Sequence, residues 1–120
     1  MASNLVDLCR FYSTTSGASS TPAVGAHVAG FCTPAEAGAI NGLTYSYSIY
    51  DPVTPSYQKG TCTYNSAGPT LSILTIATSS NGGAQIVLSG TQIINLTALA
   101  SDLTPPASAI MANAANFGAL

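Results

Sequence analysis

Charge is what this chain has least of. Two basic and four acidic residues among 120 make it 5% charged, against about 25% in an average soluble domain. The six are Asp7, Arg10, Glu36, Asp51, Lys59 and Asp102. Two cations cannot neutralise a phosphate track, because that mode of binding grows with the number of Lys and Arg contacts; nucleic acid is therefore not expected as a partner. No apolar run approaches the ~20 residues that cross a bilayer, so no membrane partner is expected either. Met1-Ala2-Ser3-Asn4-Leu5-Val6-Asp7 has no basic stretch followed by an apolar block and is not read as a signal peptide.

Metal-ligand and catalytic patterns are equally scarce. Three cysteines, Cys9, Cys32 and Cys62, form no CxxC pair, and His27 is the one histidine, so neither ligand count nor spacing fits zinc. The cysteines are read as buried free thiols or as one disulfide, within or between subunits, of undetermined pairing. No GxSxG elbow is present, and His27 lies among Gly25, Ala26, Val28 and Ala29, where it reads as a strand residue with an ordinary hydrogen bond. The four acids are far apart in sequence, with no two in one local motif for general acid–base work. Gly82-Gly83 is followed by no phosphate-binding Lys and is explained by a tight turn. No enzyme and no cofactor is expected.

What is present is an apolar content of 47% in short pieces, with Gly, Pro, Asn and Ser clusters about every ten residues. That punctuation predicts an all-β domain, a compact β-sandwich or β-barrel of about seven to eight short strands with extended N- and C-terminal arms. Strands are expected over Leu5–Tyr12, about Ala23–Phe31, Leu43–Tyr50, Tyr57–Tyr64, Thr70–Thr78, Ala84–Leu88 and Thr91–Leu99. Leu43, Tyr45, Tyr47 and Ile49 alternate with Thr44, Ser46 and Ser48, which places the two sets on opposite faces. Thr33-Pro34-Ala35-Glu36 fits one helical turn with Thr33 as N-cap and Pro34 first inside it. Residues 1–103 are assigned to the β-domain and 104–120 to a C-terminal arm or short helix, apolar at Ile110, Met111 and Phe117.

A domain with so little charge is poorly equipped to repel its own copies, and the centres of protein interfaces are likewise depleted in Lys, Glu and Asp. Assembly is the expectation. The N-terminal Leu5, Val6 and Leu8 and the tail's Ile110, Met111, Phe117 and Leu120 are expected to make subunit or capsid contacts. Tyr45 and Tyr47 are expected inside a homotrimer or, alternatively, with Tyr50, Tyr57 and Tyr64 of the same hairpin region, on an aromatic platform for a glycan or receptor.

Three runs carry a family likeness: Gly60-Thr61-Cys62-Thr63-Tyr64-Asn65-Ser66-Ala67-Gly68-Pro69-Thr70-Leu71-Ser72, then Ala77-Thr78-Ser79-Ser80-Asn81-Gly82-Gly83-Ala84, then Leu88-Ser89-Gly90-Thr91. With Asp7-Leu8-Cys9-Arg10 and Asn41 to Ile49 upstream, the chain resembles a family of small structural proteins of tailed bacteriophages over about residues 5–97. Where that family has an aromatic–acidic segment before its Gly-Thr strand this chain has Tyr57-Gln58-Lys59, and the tail from Thr104 has no counterpart in it. The resemblance implies a virion protein made in the host cytoplasm. The expected role is that of a capsid decoration, or cement, protein bound as a trimer to the major capsid protein on the head surface. A tail or fibre-base subunit is the structural alternative.

Overall fold

The structure is a computed structural model that describes residues 4–99 and Asp102. The expected tail, with Ile110, Met111, Phe117 and Leu120, lies outside the described residues. The protein is all-β. Five strands, β1 (Cys9–Ser13), β2 (Thr44–Asp51), β3 (Ser56–Asn65), β4 (Thr70–Ser79) and β5 (Gln92–Leu96), form one antiparallel sheet in the order β1-β5-β2-β3-β4. β2, β3 and β4 follow one another as a meander, and β5 returns to lie beside β2, which is a Greek-key arrangement.

Strand alternation builds the core. Cross-strand partners Phe11, Ile94, Ile49 and Gln58 form one inward row, and Cys9, Leu96, Tyr47 and Gly60 form the next; all eight are buried. Tyr45, Cys62, Tyr64, Leu71, Ile86 and Leu88 complete the interior. Tyr45 and Tyr47 are 3% and 0% exposed. That corrects their expected placement at a subunit interface or glycan platform: the apolar side of β2 is needed to fill the barrel.

Both edges of the sheet, β1 and β4, are covered by one irregular stretch. The Leu71 and Ile73 N–H groups donate to the Pro22 and Ser20 carbonyls at 3.0 and 2.8 Å, and Val24 N–H donates to Pro69 O at 3.0 Å. The chain then crosses to β1. Gly25 N–H donates to Tyr12 O and Tyr12 N–H to Ala26 O, both at 2.8 Å; Arg10 N–H donates to Cys32 O at 3.0 Å and Cys32 N–H to Leu8 O at 2.7 Å. Residues 20–32 thus join the two edges and close the sheet into a barrel. This is why the strand expected over Ala23–Phe31 is absent as a strand: its hydrogen bonds change partner halfway along. The segment expected as strand Ala84–Leu88 is likewise irregular, fixed by a two-way backbone pair between Leu88 and Gly17 at 2.9 Å each.

Thr33–Gly38 forms the expected turn. Glu36 N–H donates to Thr33 Oγ1 at 3.2 Å and Thr33 N–H donates to Glu36 Oε1 at 3.0 Å, a reciprocal capping box. Ala37 N–H then reaches Thr33 O at 2.9 Å, and Gly38 ends the turn at a φ of +89°.

The β3–β4 ladder shifts register twice, between Lys59 and Gly60 and between Thr61 and Cys62. At the first shift β4 presses its backbone onto Gly60, where an added Cβ would collide with the Thr75 carbonyl. Gly60→Ala should therefore lower the unfolding free energy by more than about 2 kcal/mol in urea titrations, while Lys59→Ala next to it, with its side chain in solvent, should change it by less than about 0.5 kcal/mol.

Candidate functional site: the outer face and the two ends of the barrel

The strand register that fills the interior also sets two rows on the outer face. Tyr12, Ile93, Tyr50 and Tyr57 are consecutive cross-strand partners over β1, β5, β2 and β3. The three tyrosines are 38%, 49% and 48% exposed. Tyr57 continues the row to Ser80 by one backbone and one side-chain hydrogen bond, Ser80 N–H donating to Tyr57 O and Tyr57 N–H to Ser80 Oγ, each at 3.0 Å. The adjacent row on the same face is Arg10, Asn95, Ser48 and Lys59. Arg10 Nε donates to Asn95 Oδ1 at 2.6 Å and Asn95 Nδ2 donates to Ser48 Oγ at 3.2 Å. The Arg10 guanidinium also stacks 4.4 Å from the centroid of the Phe31 ring. Both cations of the chain therefore stand on one row of one face, and among the described residues neither has an acidic partner; the ion pair found there joins His27 Nδ1 to Glu36 Oε1 at 3.0 Å.

The barrel's two ends differ. At the end where β2 begins, Asn4 N–H donates to Thr44 O and Thr97 N–H to Ser46 O, so the N-terminal segment and the chain leaving β5 share this end. Ser46 Oγ donates to Asp102 Oδ2 at 2.5 Å, and Leu99 N–H donates to the same oxygen at 2.8 Å. Leu5, Leu8 and Ile40 are exposed here, at 54%, 65% and 60%, and Val6 packs partly against the core. A groove of about 320 Å³ opens between Leu5–Arg10, Phe31 and Asn95–Ala98.

The opposite end is organised by Asp51, which is fully buried. Val53 N–H donates to its Oδ1 at 3.0 Å; Ser89 N–H and Ser89 Oγ donate to its Oδ2 at 2.8 and 3.2 Å. Burial works to raise the Asp51 pKa, but these donors, with the Thr54 N–H, hold it below the usual carboxylate value. Nearby, Gln58 Nε2 donates to Tyr47 Oη at 2.8 Å and to Gln85 Oε1 at 3.2 Å, and its Oε1 accepts Ile86 N–H at 3.0 Å. A recess of about 280 Å³ opens beside them, lined by Thr54, Ser56, Ser80, Asn81, Ile86, Val87 and Ser89.

The cysteines are all free thiols. Cys9 and Cys32 are bridge partners at the seam between β1 and the closing segment, while Cys62 lies in the core. Burial pushes the Cys9 thiol up to about 11 and the Cys62 thiol up to about 12; it also pushes the Tyr47 phenol up to about 12. Among the described residues no group of three or more His, Cys, Asp or Glu is placed to hold a metal ion. Comparison with protein families, curated proteins and solved structures finds no match to this chain.

The expected contact residues are thus divided. Leu5 and Leu8 are on the surface at one end, Val6 is half-buried, and Tyr45 and Tyr47 are interior. Of the five tyrosines of the expected aromatic platform, Tyr45, Tyr47 and Tyr64 are interior and Tyr50 and Tyr57 are exposed; Tyr12 and Ile93, which complete their row, carry no signal in the sequence near the hairpin.

Two measurements follow from the buried groups. Asp51→Ala should cost about 2–4 kcal/mol, because it leaves buried N–H donors without an acceptor. Since the folded Asp51 pKa is depressed, its contribution is present above the unfolded carboxylate value and is lost as pH falls through the folded one, so acid titration of the Asp51→Ala variant should show a shallower loss of stability. At the alkaline side the signs reverse. The unfolded chain releases Cys9 and Cys62 protons near 9.0, whereas the fold holds them until about 11 and about 12. Melting temperature should be level from about neutral pH to pH 9 and fall steadily above it, and at pH 8 a maleimide should label the partly exposed Cys32 well before Cys62.

Proposed function

We propose that this chain is a structural protein of a tailed-bacteriophage virion, a decoration protein that sits as a trimer on the major capsid protein of the head and stabilises the shell. The single observation that carries the reading is the exposure of Leu5, Leu8 and Ile40 beside a groove of about 320 Å³ at the barrel end shared by the N-terminal segment and the chain leaving β5, in a protein with six charges to keep it apart from its neighbours. Val53 and Val87 are exposed at the other end, away from both of those segments. The resemblance of residues 5–97 to small phage structural proteins supports it. In this reading that end is the root and the Asp51 end points away from the shell. The action is mechanical and involves no catalytic step: each copy buries a patch across a capsid junction, of the ~1,200–2,000 Å² typical of specific interfaces. Mass action over many copies then shifts the shell towards its intact form.

Purified chain added to expanded heads that lack it should bind in large copy number and raise their rupture temperature. Leu5→Asp with Leu8→Asp should weaken that binding at least about tenfold without lowering the protein's own melting temperature, since both side chains are in solvent. Recovery in a few copies per particle with head stability unchanged would instead favour a tail or fibre-base subunit. Truncation after Leu103 measures the contribution of the tail: undiminished occupancy would remove it from the anchor.

A further inference from the structure

The outer face presents something that shell attachment at the root does not use: a row of tyrosines running into a recess of mixed polar and apolar lining, with both cations of the chain one row away. We propose that this face binds an acidic oligosaccharide, laid across the strands with its sugar rings on Tyr50 and Tyr57 and its carboxylates towards Lys59 and Arg10.

Each part of the surface matches a part of such a ligand. Three interstrand steps separate Tyr12 from Tyr57, about 14 Å, the span of a short oligosaccharide. Half-exposed tyrosine rings offer a flat apolar face for the C–H side of a pyranose and a hydroxyl at the rim. The row ends at Ser80, which also lines the recess of about 280 Å³ with Thr54, Ser56, Asn81 and Ser89. With Ile86 and Val87 the lining is mixed, an apolar wall with hydroxyl and amide groups at its rim and no charge, which suits the two sides of a terminal sugar and would leave a buried ion unpaired. In the neighbouring row Asn95 and Ser48 are held by the Arg10 hydrogen bond, so the polar groups are already oriented before a ligand arrives.

Charge complementarity selects the acidic class. A chain that carries so few charges places its two cations on the same row, and neither has an acidic partner among the described residues. The terminal nitrogens of Arg10 make no hydrogen bond there, and Phe31 beneath the guanidinium fixes its plane. Asp51, the acid nearest the tyrosine row in sequence, points inward and is fully buried, so it does not repel an anion on the outer face. Tyr50, Tyr57 and Lys59 lie away from the root, whereas Arg10, Phe31 and Asn95 border its groove beside Asp7, so binding is to be measured on the free chain with Leu5 and Leu8 in place.

The test is calorimetric titration of the full chain at low ionic strength with a uronic-acid hexasaccharide, its carboxyl-reduced neutral counterpart, and inorganic polyphosphate. Saturable binding of the uronic-acid oligomer is expected, with the neutral oligomer at least about tenfold weaker. Tyr57→Ala and Tyr50→Ala should each weaken binding about tenfold, and Lys59→Gln about threefold or more. Melting temperatures of the variants establish that the fold is unchanged; should Tyr50→Ala unfold the chain, Tyr57→Ala and Lys59→Gln still decide. Equal binding of the neutral oligomer, equal binding of polyphosphate, no saturable binding, or variants that bind as tightly as the parent would each overturn the assignment.

Discussion

A five-stranded open sheet leaves two rows of unpaired backbone groups, and in this protein the same short stretch, residues 20–32, satisfies much of both. Everything else rests on that closure. Without it β1 would be held to the sheet by β5 alone, and the inward faces of Phe11 and Cys9 would open to water. The seam is made of backbone hydrogen bonds rather than large side chains, each worth only about 1 kcal/mol net but costly to leave unmade in a covered position. Small residues suit the task. Gly25 lies so close to Tyr12 that a Cβ there would meet its carbonyl, and Ala23, Ala26 and Ala29 let the backbone approach either edge.

The second support is a small set of buried polar side chains that substitute for strand pairing where the chain is irregular. Asp51 holds its own hairpin loop and the Ser89 segment; Gln58 holds Ile86 and Gln85 from inside the barrel. Such groups stabilise only when their partners are all in place, which makes the Asp51 end rigid despite the lack of strands there. The opposite end is built differently, with two chain segments crossing the start of β2. Aliphatic side chains stand in solvent at both ends, Leu5, Leu8 and Ile40 at one and Val53 and Val87 at the other.

How much of this was legible in the sequence depended on range. The Thr33–Gly38 turn with its Thr33 cap, the β2–β3 hairpin and the bounds of β4 follow from neighbours a few residues apart, and each stands within a residue or so of where the residues place it. The alternation of β2 also separated its two faces correctly. It did not say which face goes inward, and the tyrosine side was assigned outward because tyrosines suit interfaces; the barrel's demand for volume decided otherwise. The row of Tyr12, Ile93, Tyr50 and Tyr57 unites residues from opposite ends of the chain. No local pattern encodes that β5 inserts between β1 and β2. The seam left no periodic signal because its residues are small and its bonds are backbone. The cysteines are similar: their spacing is uninformative, yet the closing segment brings Cys32 opposite Cys9.

The position of β5 has a consequence for synthesis. Of the five described strands it is the last to leave the ribosome and the one that separates β1 from β2 in the sheet. The meander of β2, β3 and β4 can assemble early, but β1 has no lasting neighbour on that side until residues 92–96 have been translated. For most of its emergence the nascent chain must therefore keep its first strand and the whole seam waiting, with few charges to hold apart the unfinished chains of a polysome.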